Sequence, residues 1–157
     1  KAGGEFLAAL PQVDGDKIGI YGGSYGGYLT ALALARDSDL FKVGVDIHGV
    51  HDLDGRYNLP ETFEVASDYE KAKKIAWESS PIADLKTWTS PVLFIHADDD
   101  RNVSVSQTAD LIRRFEEMGK SYESILIPGD THHWMKWSNM IHVDQATADF
   151  LVKHLKD

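Results

Sequence analysis

A strand that leads through six glycine-rich residues into an apolar helix constrains the fold of this chain more than any other feature. Residues 17–21 are mostly apolar and predict a buried strand, and the segment GGSYGG then leads into a helix predicted over about residues 28–36. That helix, YLTALALAR, is apolar on nearly all sides, which is typical of a helix buried between a sheet and other elements. The pair therefore predicts a sheet covered by helices.

The rest of the chain repeats this alternation of strands and helices. Further strands are predicted at residues 43–48, 91–96 and 122–128. Further helices are predicted at residues 6–10, from a cap formed by Ser104 and Gln107 to Gly119, and at about residues 143–155. The polar and aromatic stretch from about 50 to 90 predicts an excursion off the sheet, with one helix that begins at the capping box Ser67-Asp68-Tyr69-Glu70. Long crossovers between apolar strands favour a mostly parallel sheet with helices on both faces, so the predicted class is α/β, in one domain over residues 1–157.

The composition of the chain limits the kinds of partner that it can bind. The 157 residues are 43% hydrophobic, and 25 Asp and Glu against 16 Lys and Arg give a net charge of −9. Such a chain has no cationic field to attract phosphates or anionic lipid, so we expect neither a nucleic acid nor a membrane partner. Cysteine is absent, which excludes disulfides and thiol nucleophiles.

The segment Gly22-Gly23-Ser24-Tyr25-Gly26 has the pattern G-x-S-x-G between a strand and a helix, where a nucleophilic serine stands on a sharp turn. We expect Gly22 and Gly26 to remove Cβ atoms that would clash as strand and helix approach, and the Tyr25 amide to donate to an oxyanion. Nucleotide-binding patterns fit poorly, because no Lys follows the glycines and Ser24 stands where G-x-G-x-x-G needs its second glycine. The sequence also leaves open the alternative that this segment is a glycine-rich turn with no chemical role.

Acids and histidines follow the next strands along the chain. Asp98, Asp99 and Asp100 come after the strand PVLFIH, and His132 and His133 come after the following strand. Both loops are expected at the carboxyl edge of the sheet, where α/β proteins build their sites. The order Ser, Asp, His is the one found in α/β-hydrolases, whose serine needs an imidazole base oriented by a carboxylate.

A zinc site is the alternative for the histidines. His48 and His51, spaced HGVH, and Asp130 could supply ligands, but two imidazoles three residues apart at a strand end do not converge as they would on a helix. We therefore expect no metal and no cofactor.

The segments GGSYGGY, HADDDRNV, PGDTHHW and DQATADFLVKHL together resemble the C-terminal catalytic domain of the prolyl oligopeptidase family, nearest its dipeptidyl-peptidase and acylaminoacyl-peptidase branches. The family's elbow, G-x-S-Y-G-G-Y, implies that Ser24 is the nucleophile and that Tyr25 supplies a backbone oxyanion donor. Its acid loop, H-G-x-x-D-x-x-V, implies Asp100 as the catalytic acid, and its base segment implies His132. Ala97 stands where the family usually has glycine.

The resemblance implies a serine peptidase that cleaves short peptides through an acyl-enzyme without a cofactor. It also implies a larger protein, with a β-propeller and an eight-stranded sheet in which the strand before Ser24 is central. We therefore expect this chain to be the C-terminal part of the catalytic domain, and an upstream segment or a second copy of the chain to cover that strand. We expect the second oxyanion donor to come from the upstream strands.

Two other functions remain open at this point. A carboxylesterase would use the same three residues on the same scaffold, because ester and amide acyl transfer share this chemistry. A non-catalytic assembly or binding domain could retain the three residues without a complete oxyanion hole.

Overall fold

Four parallel strands form the centre of the part of the chain that the structure describes. The computed structural model describes residues 1–57 and 66–156, so residues 58–65 of the predicted excursion lie outside the described residues. The strands are β1 (Ile18–Gly23), β2 (Phe41–Ile47), β3 (Val92–Ala97) and β4 (Glu123–Ile127). They lie side by side in chain order, and each adjacent pair is parallel. All four correspond to predicted strands.

Helices precede, connect and follow the strands. They are α1 (Ala2–Ala8), α2 (Tyr25–Arg36), α3 (Leu53–Tyr57), α4 (Ala66–Glu78), α5 (Ser106–Glu117) and α6 (Trp137–Leu155), with a 3-10 helix at Pro81–Thr87. The described part of the excursion thus contains more helix than the single one predicted.

Side chains of β3 alternate between two hydrophobic cores, one on each face of the sheet. Val92 and Phe94 pack with residues of α2, the 3-10 helix and α5, including Leu34, Ile82 and Phe115. Leu93 and Ile95 point to the other face, which α6 covers with Val143 and Phe150. The buried strand cores therefore have helices on both sides, as predicted for the α/β class.

Several predicted helix starts differ from the structure, since α1 begins at Ala2 rather than at residue 6 and α6 begins at Trp137 rather than at about residue 143. The helix α2 begins at Tyr25 rather than at about residue 28. The prediction missed its first turn because Gly26 and Gly27 have low helix propensity. The helix α4 begins at Ala66, so Ser67 lies inside it and the prediction of Ser67 as its cap is wrong. At α5, the side chain of Gln107 does not close a capping box; its Oε1 accepts from the backbone N–H groups of His51 and Asp52.

The first turn of α2 lies directly against the ends of β1 and β2. A Cβ atom on Gly22 would lie 2.7 Å from the carbonyl carbon and oxygen of Gly26, and one on Gly27 would lie 2.6 Å from Oδ1 of Asp46. Both positions therefore need glycine. The steric reason that we gave for Gly26 is wrong, because a Cβ there would meet no atom within 4 Å outside its own helix.

One edge of the sheet presents apolar side chains to solvent. Among the described residues, β1 pairs only with β2, which leaves its other edge open. Tyr21 on β1 is 64% exposed, and Tyr25 and Leu29, one turn apart on α2, are 71% and 45% exposed. An open strand edge beside exposed aromatic residues is a surface that proteins normally cover.

A search of the helices in residues 1–57 and 66–156 finds none with the length and apolar character needed to cross a membrane.

The contact between α2 and β2 gives a prediction about stability. We expect Gly27→Ala to lower the free energy of unfolding by about 1–3 kcal/mol, because its Cβ would overlap a buried carboxylate and two backbone groups. The matched control is Gly26→Ala, where space is available and alanine is the better helix former by up to about 1 kcal/mol. Urea denaturation followed by circular dichroism measures both, and equal midpoints for the two variants would contradict this account of the contact.

Candidate active site

Ser24 stands on a strained turn between β1 and α2. Its φ of 58° and ψ of −116° lie outside the regions that a side chain normally allows. The turn is held from both sides, since the N–H of Ser24 donates to the carbonyl of Ile47 at 2.9 Å and its carbonyl accepts from the N–H of Tyr28 at 3.0 Å. Its side chain is partly exposed, as a nucleophile elbow requires.

The second feature of the site is a short hydrogen bond between Asp100 and His132. Nδ1 of His132 lies 2.6 Å from Oδ2 of Asp100, whose side chain is fully buried. The other carboxylate oxygen accepts from the backbone N–H groups of Asn102 and Val103, both at 2.9 Å. Burial acts to raise the pKa of Asp100, but the hydrogen bonds from His132 and these two amides outweigh it and lower the pKa below its usual value.

The neighbouring acids and the second histidine have other contacts. Oδ1 of Asp98 accepts from the N–H of Gly129 at 2.7 Å, and the exposed Asp99 pairs with Arg101. The exposed ring of His133 meets the ring of His132 edge-on, with 5.3 Å between centroids. Of the three aspartates and two histidines that the sequence offered, the structure brings together Asp100 and His132.

A buried histidine holds the loop that carries Asp100. Nε2 of His96 lies 2.9 Å from the carbonyl of Val103, so this nitrogen carries the proton, and Nδ1 accepts from the hydroxyl of Thr108 at 2.8 Å. Burial lowers the pKa of His96, which keeps the ring neutral. In the sequence, His96 stands only as the first residue of the acid-loop pattern, which does not indicate this positioning contact.

Asp130 fastens the loop that carries His132. Its carboxylate accepts from the backbone N–H groups of Thr131 and Met135 at 2.8 and 2.7 Å, and from the side-chain amide of Asn139 at 2.7 Å. Burial acts to raise the pKa of Asp130, but these hydrogen bonds outweigh it and lower the pKa to about 2. The role of Asp130 is therefore to stabilise the loop that carries His132.

His51, considered with His48 as a zinc ligand, contacts an aspartate instead. Nε2 of His51 lies 2.6 Å from Oδ2 of Asp46, and both side chains are buried. The described residues contain one group whose ligand atoms lie within 4.8 Å of one another: His48, Asp100 and His132. The rings of His48 and His132 are stacked, with 4.1 Å between centroids and 32° between planes, so their in-plane lone pairs do not converge on one ion. The arrangement suits proton transfer better than metal binding.

His48 links the serine turn to the Asp100–His132 pair. Besides stacking on His132, it approaches Gly23, where a Cβ atom would lie 3.1 Å from Nε2 of His48. Within the described residues the hydroxyl of Ser24 makes no hydrogen bond, and catalytic hydrogen bonds are often long without substrate. Tyr25 is the first residue of α2, so its N–H lies at the N-terminus of the helix. The free backbone donors and the helix dipole there stabilise a developing negative charge.

Comparisons with known proteins identify the family of this chain. The sequence profile of the prolyl oligopeptidase family matches residues 1–157. Dipeptidyl-peptidase 5 of Porphyromonas gingivalis is 28% identical over 134 residues, which cover 80% of this chain and 19% of that protein. The acylaminoacyl peptidase of Pyrococcus horikoshii superposes with a TM-score of 0.81 and 28% identity, covering 98% of this chain and 26% of that one.

A puromycin-hydrolysing peptidase of Mycobacterium tuberculosis shares the fold, with a TM-score of 0.86, 22% identity and coverage of 99% of this chain and 24% of that one. The chain spans about one fifth of the length of the curated relatives it matches. The profile match over every residue is decisive, and the chain belongs to the prolyl oligopeptidase family, with the α/β-hydrolase fold.

Proposed function

We propose that the protein is a serine peptidase in which Ser24, Asp100 and His132 form a catalytic triad. The observation that carries the proposal is the 2.6 Å contact of Nδ1 of His132 with the buried carboxylate of Asp100. Because the carboxylate is an acceptor, Nδ1 holds the proton and Nε2 is left free to accept another. Ser24 follows β1 and Asp100 follows β3, so both lie at the carboxyl edge of the same parallel sheet.

The reaction proceeds by two acyl transfers. Nε2 of His132 takes the proton of the Ser24 hydroxyl as its oxygen attacks the substrate carbonyl carbon, and the N–H of Tyr25 donates to the oxyanion that forms. The carbon–nitrogen bond breaks as His132 gives its proton to the leaving amine. Water, deprotonated by the same imidazole, then attacks the carbonyl carbon of the ester on Ser24. The bond from that carbon to the serine oxygen breaks as His132 returns the proton to this oxygen, which releases the acid and restores Ser24. Asp100 holds the tautomer and stabilises the imidazolium, and no cofactor takes part.

Peptides are the substrate class that the comparisons support. The relatives named above carry the names of a dipeptidyl peptidase and an acylaminoacyl peptidase. An esterase would use the same three residues, so the substrate needs its own test. Matched p-nitroanilide and p-nitrophenyl ester substrates with the same acyl group separate the two, since an esterase turns over only the ester.

The nucleophile is tested by substitution and by labelling of the full protein. We expect Ser24→Ala to lower kcat by about 10⁴-fold or more, because no other group in the triad forms the acyl bond. The variant should also lose labelling by a fluorophosphonate. Ser121→Ala, which changes an exposed serine, is the control and should label like the parent. Activity of Ser24→Ala within tenfold of the parent would contradict the proposal.

The acid is tested within its own loop. Asp100→Asn should lower kcat by about 10³- to 10⁴-fold, because an amide facing Nδ1 favours the wrong tautomer of His132. Asp99→Asn changes the neighbouring exposed side chain and should cost little. Steady-state kinetics on both variants decide, and a larger loss in Asp99→Asn would place the acid one residue earlier.

We also propose that another segment of the same protein covers the open edge of β1. The support is the unpaired edge among the described residues, the exposed Tyr21 on that strand, and the small share of the relatives' length that this chain spans. A segment paired there would also lie close to Ser24, where it could supply the second oxyanion donor.

The 157 residues alone should therefore self-associate and turn over substrate slowly. Tyr21→Lys should reduce this association, because a charged side chain on an edge strand opposes pairing. Ile75→Lys changes an exposed apolar side chain on α4, outside the sheet, and should leave it unchanged. Light scattering measures both, and a stable monomer of the isolated chain with ordinary peptidase rates would show that no cover is needed.

A further inference from the structure

His48 occupies a strained and firmly held position at the end of β2. Its φ of 44° lies in the left-handed region, which histidine enters at a cost. Its N–H donates to the carbonyl of Ile95 at 2.8 Å. The N–H of Gly49 donates to Oδ1 of Asp46 at 3.0 Å, and the other oxygen of Asp46 contacts His51 at 2.6 Å. The turn is therefore fixed on both sides of His48.

The ring of His48 lies against the proposed base. It is 6% exposed and stacks on His132 with 4.1 Å between centroids, while its contact with Trp134 spans 5.2 Å. Its Nε2 also lies close to Gly23, where a Cβ atom would meet it at 3.1 Å. An imidazole with a single hydrogen bond could turn about its Cβ–Cγ bond, and a flat ring packed against one of its faces opposes that motion.

Hydrogen bonding does not explain the presence of His48. Its Nδ1 is buried and has no partner, and no hydrogen bond among the described residues involves the ring. Burying an unpaired nitrogen costs free energy, so what the ring contributes is its contact surface.

His48 also stays uncharged near neutral pH. Burial lowers the pKa of His48 to about 4, and the imidazoles of His132, His96 and His133 act in the same direction, whereas Asp100 acts against them. When His132 becomes an imidazolium during the reaction, a neutral aromatic ring at 4.1 Å attracts it, whereas a second cation would repel it.

We propose that His48 is a positioning residue, whose buried ring stacks on His132 and holds that imidazole with Nδ1 on Asp100 and Nε2 toward Ser24. The inference rests on the proposed function, because it takes His132 as the base. It also predicts that another flat, uncharged ring can replace His48.

The test compares two variants of the full protein. His48→Asn removes the ring, and asparagine tolerates the left-handed backbone at this position. We expect kcat to fall by about 10- to 100-fold and KM to stay within about twofold of the parent, because a displaced base slows the chemical step more than it weakens substrate binding. His48→Phe keeps a flat ring and should stay within about threefold of the parent kcat. Thermal unfolding checks that both variants are folded at the assay temperature.

A spectroscopic readout separates this inference from the proposed function. The proton shared by His132 and Asp100 should give a strongly deshielded resonance in the proton NMR spectrum, assigned by its absence in Asp100→Asn. It should broaden or vanish in His48→Asn and persist in His48→Phe, whether or not the protein turns over a given substrate. If the parent protein showed this pattern of resonances but hydrolysed no peptide, the result would contradict the proposed peptidase function and leave the positioning role of His48 intact.

Two results would overturn the positioning role. One is a His48→Asn variant with the parent's kcat and an equally sharp resonance. The other is a folded His48→Phe variant that loses more than tenfold in kcat together with the resonance, which would show that a stacked ring is not what His132 needs. Should His48→Asn fail to fold, the His48→Phe result decides on its own.

Discussion

The close approach of α2 to the ends of β1 and β2 determines how the rest of this sheet edge is built. Gly22 and Gly27 let helix and strand backbones approach to distances that no Cβ atom would allow. The turn between them must then be sharp, which forces Ser24 into its strained conformation and presents its side chain at the surface. Asp46 fills the space beside Gly27, where its carboxylate binds Gly49 and His51. The same contact therefore positions the serine and the turn that carries His48.

Most of the fold could be predicted from the sequence, because its strands are short apolar runs and its connections are long. PVLFIH has no alternation since both of its faces are buried, one by α2 and α5 and the other by α6. Helix starts were harder to predict. The glycines of α2 have low helix propensity but are selected by packing, a tertiary contact that a local pattern does not contain. At α6 the signal was present, because Trp137, Met140 and Ile141 have the i, i+3, i+4 spacing of a helix, and the predicted start at about residue 143 overlooked it.

Some features of the candidate site could likewise be predicted from the sequence, and others could not. The loops that carry Asp100 and His132 could be located because each follows a strand of a parallel sheet, and the carboxyl ends of such strands meet at one edge. The choice of these two residues over their neighbours came from the family resemblance. Gly26 was given a steric role that belongs to Gly27, one residue further, because the sequence does not show which face of α2 meets the sheet. The sequence suggested His48 only as a metal ligand. Its stacking on His132 depends on a positive φ and on loops distant in sequence, and neither has a local signal.

Two Asp–His pairs among the described residues have the same 2.6 Å separation, and their surroundings show why such a contact does not by itself make the histidine a catalytic base. In the pair of Asp46 and His51, Nε2 faces the carboxylate, Nδ1 is buried without a partner, and both side chains are 1% exposed. No proton acceptor or substrate can reach that ring, so the pair serves to hold a turn. In the pair of Asp100 and His132, Nδ1 faces the carboxylate and the ring is 8% exposed at the edge where Ser24 stands. Access to the second nitrogen, rather than the strength of the contact, therefore separates a structural pair from one that can move a proton.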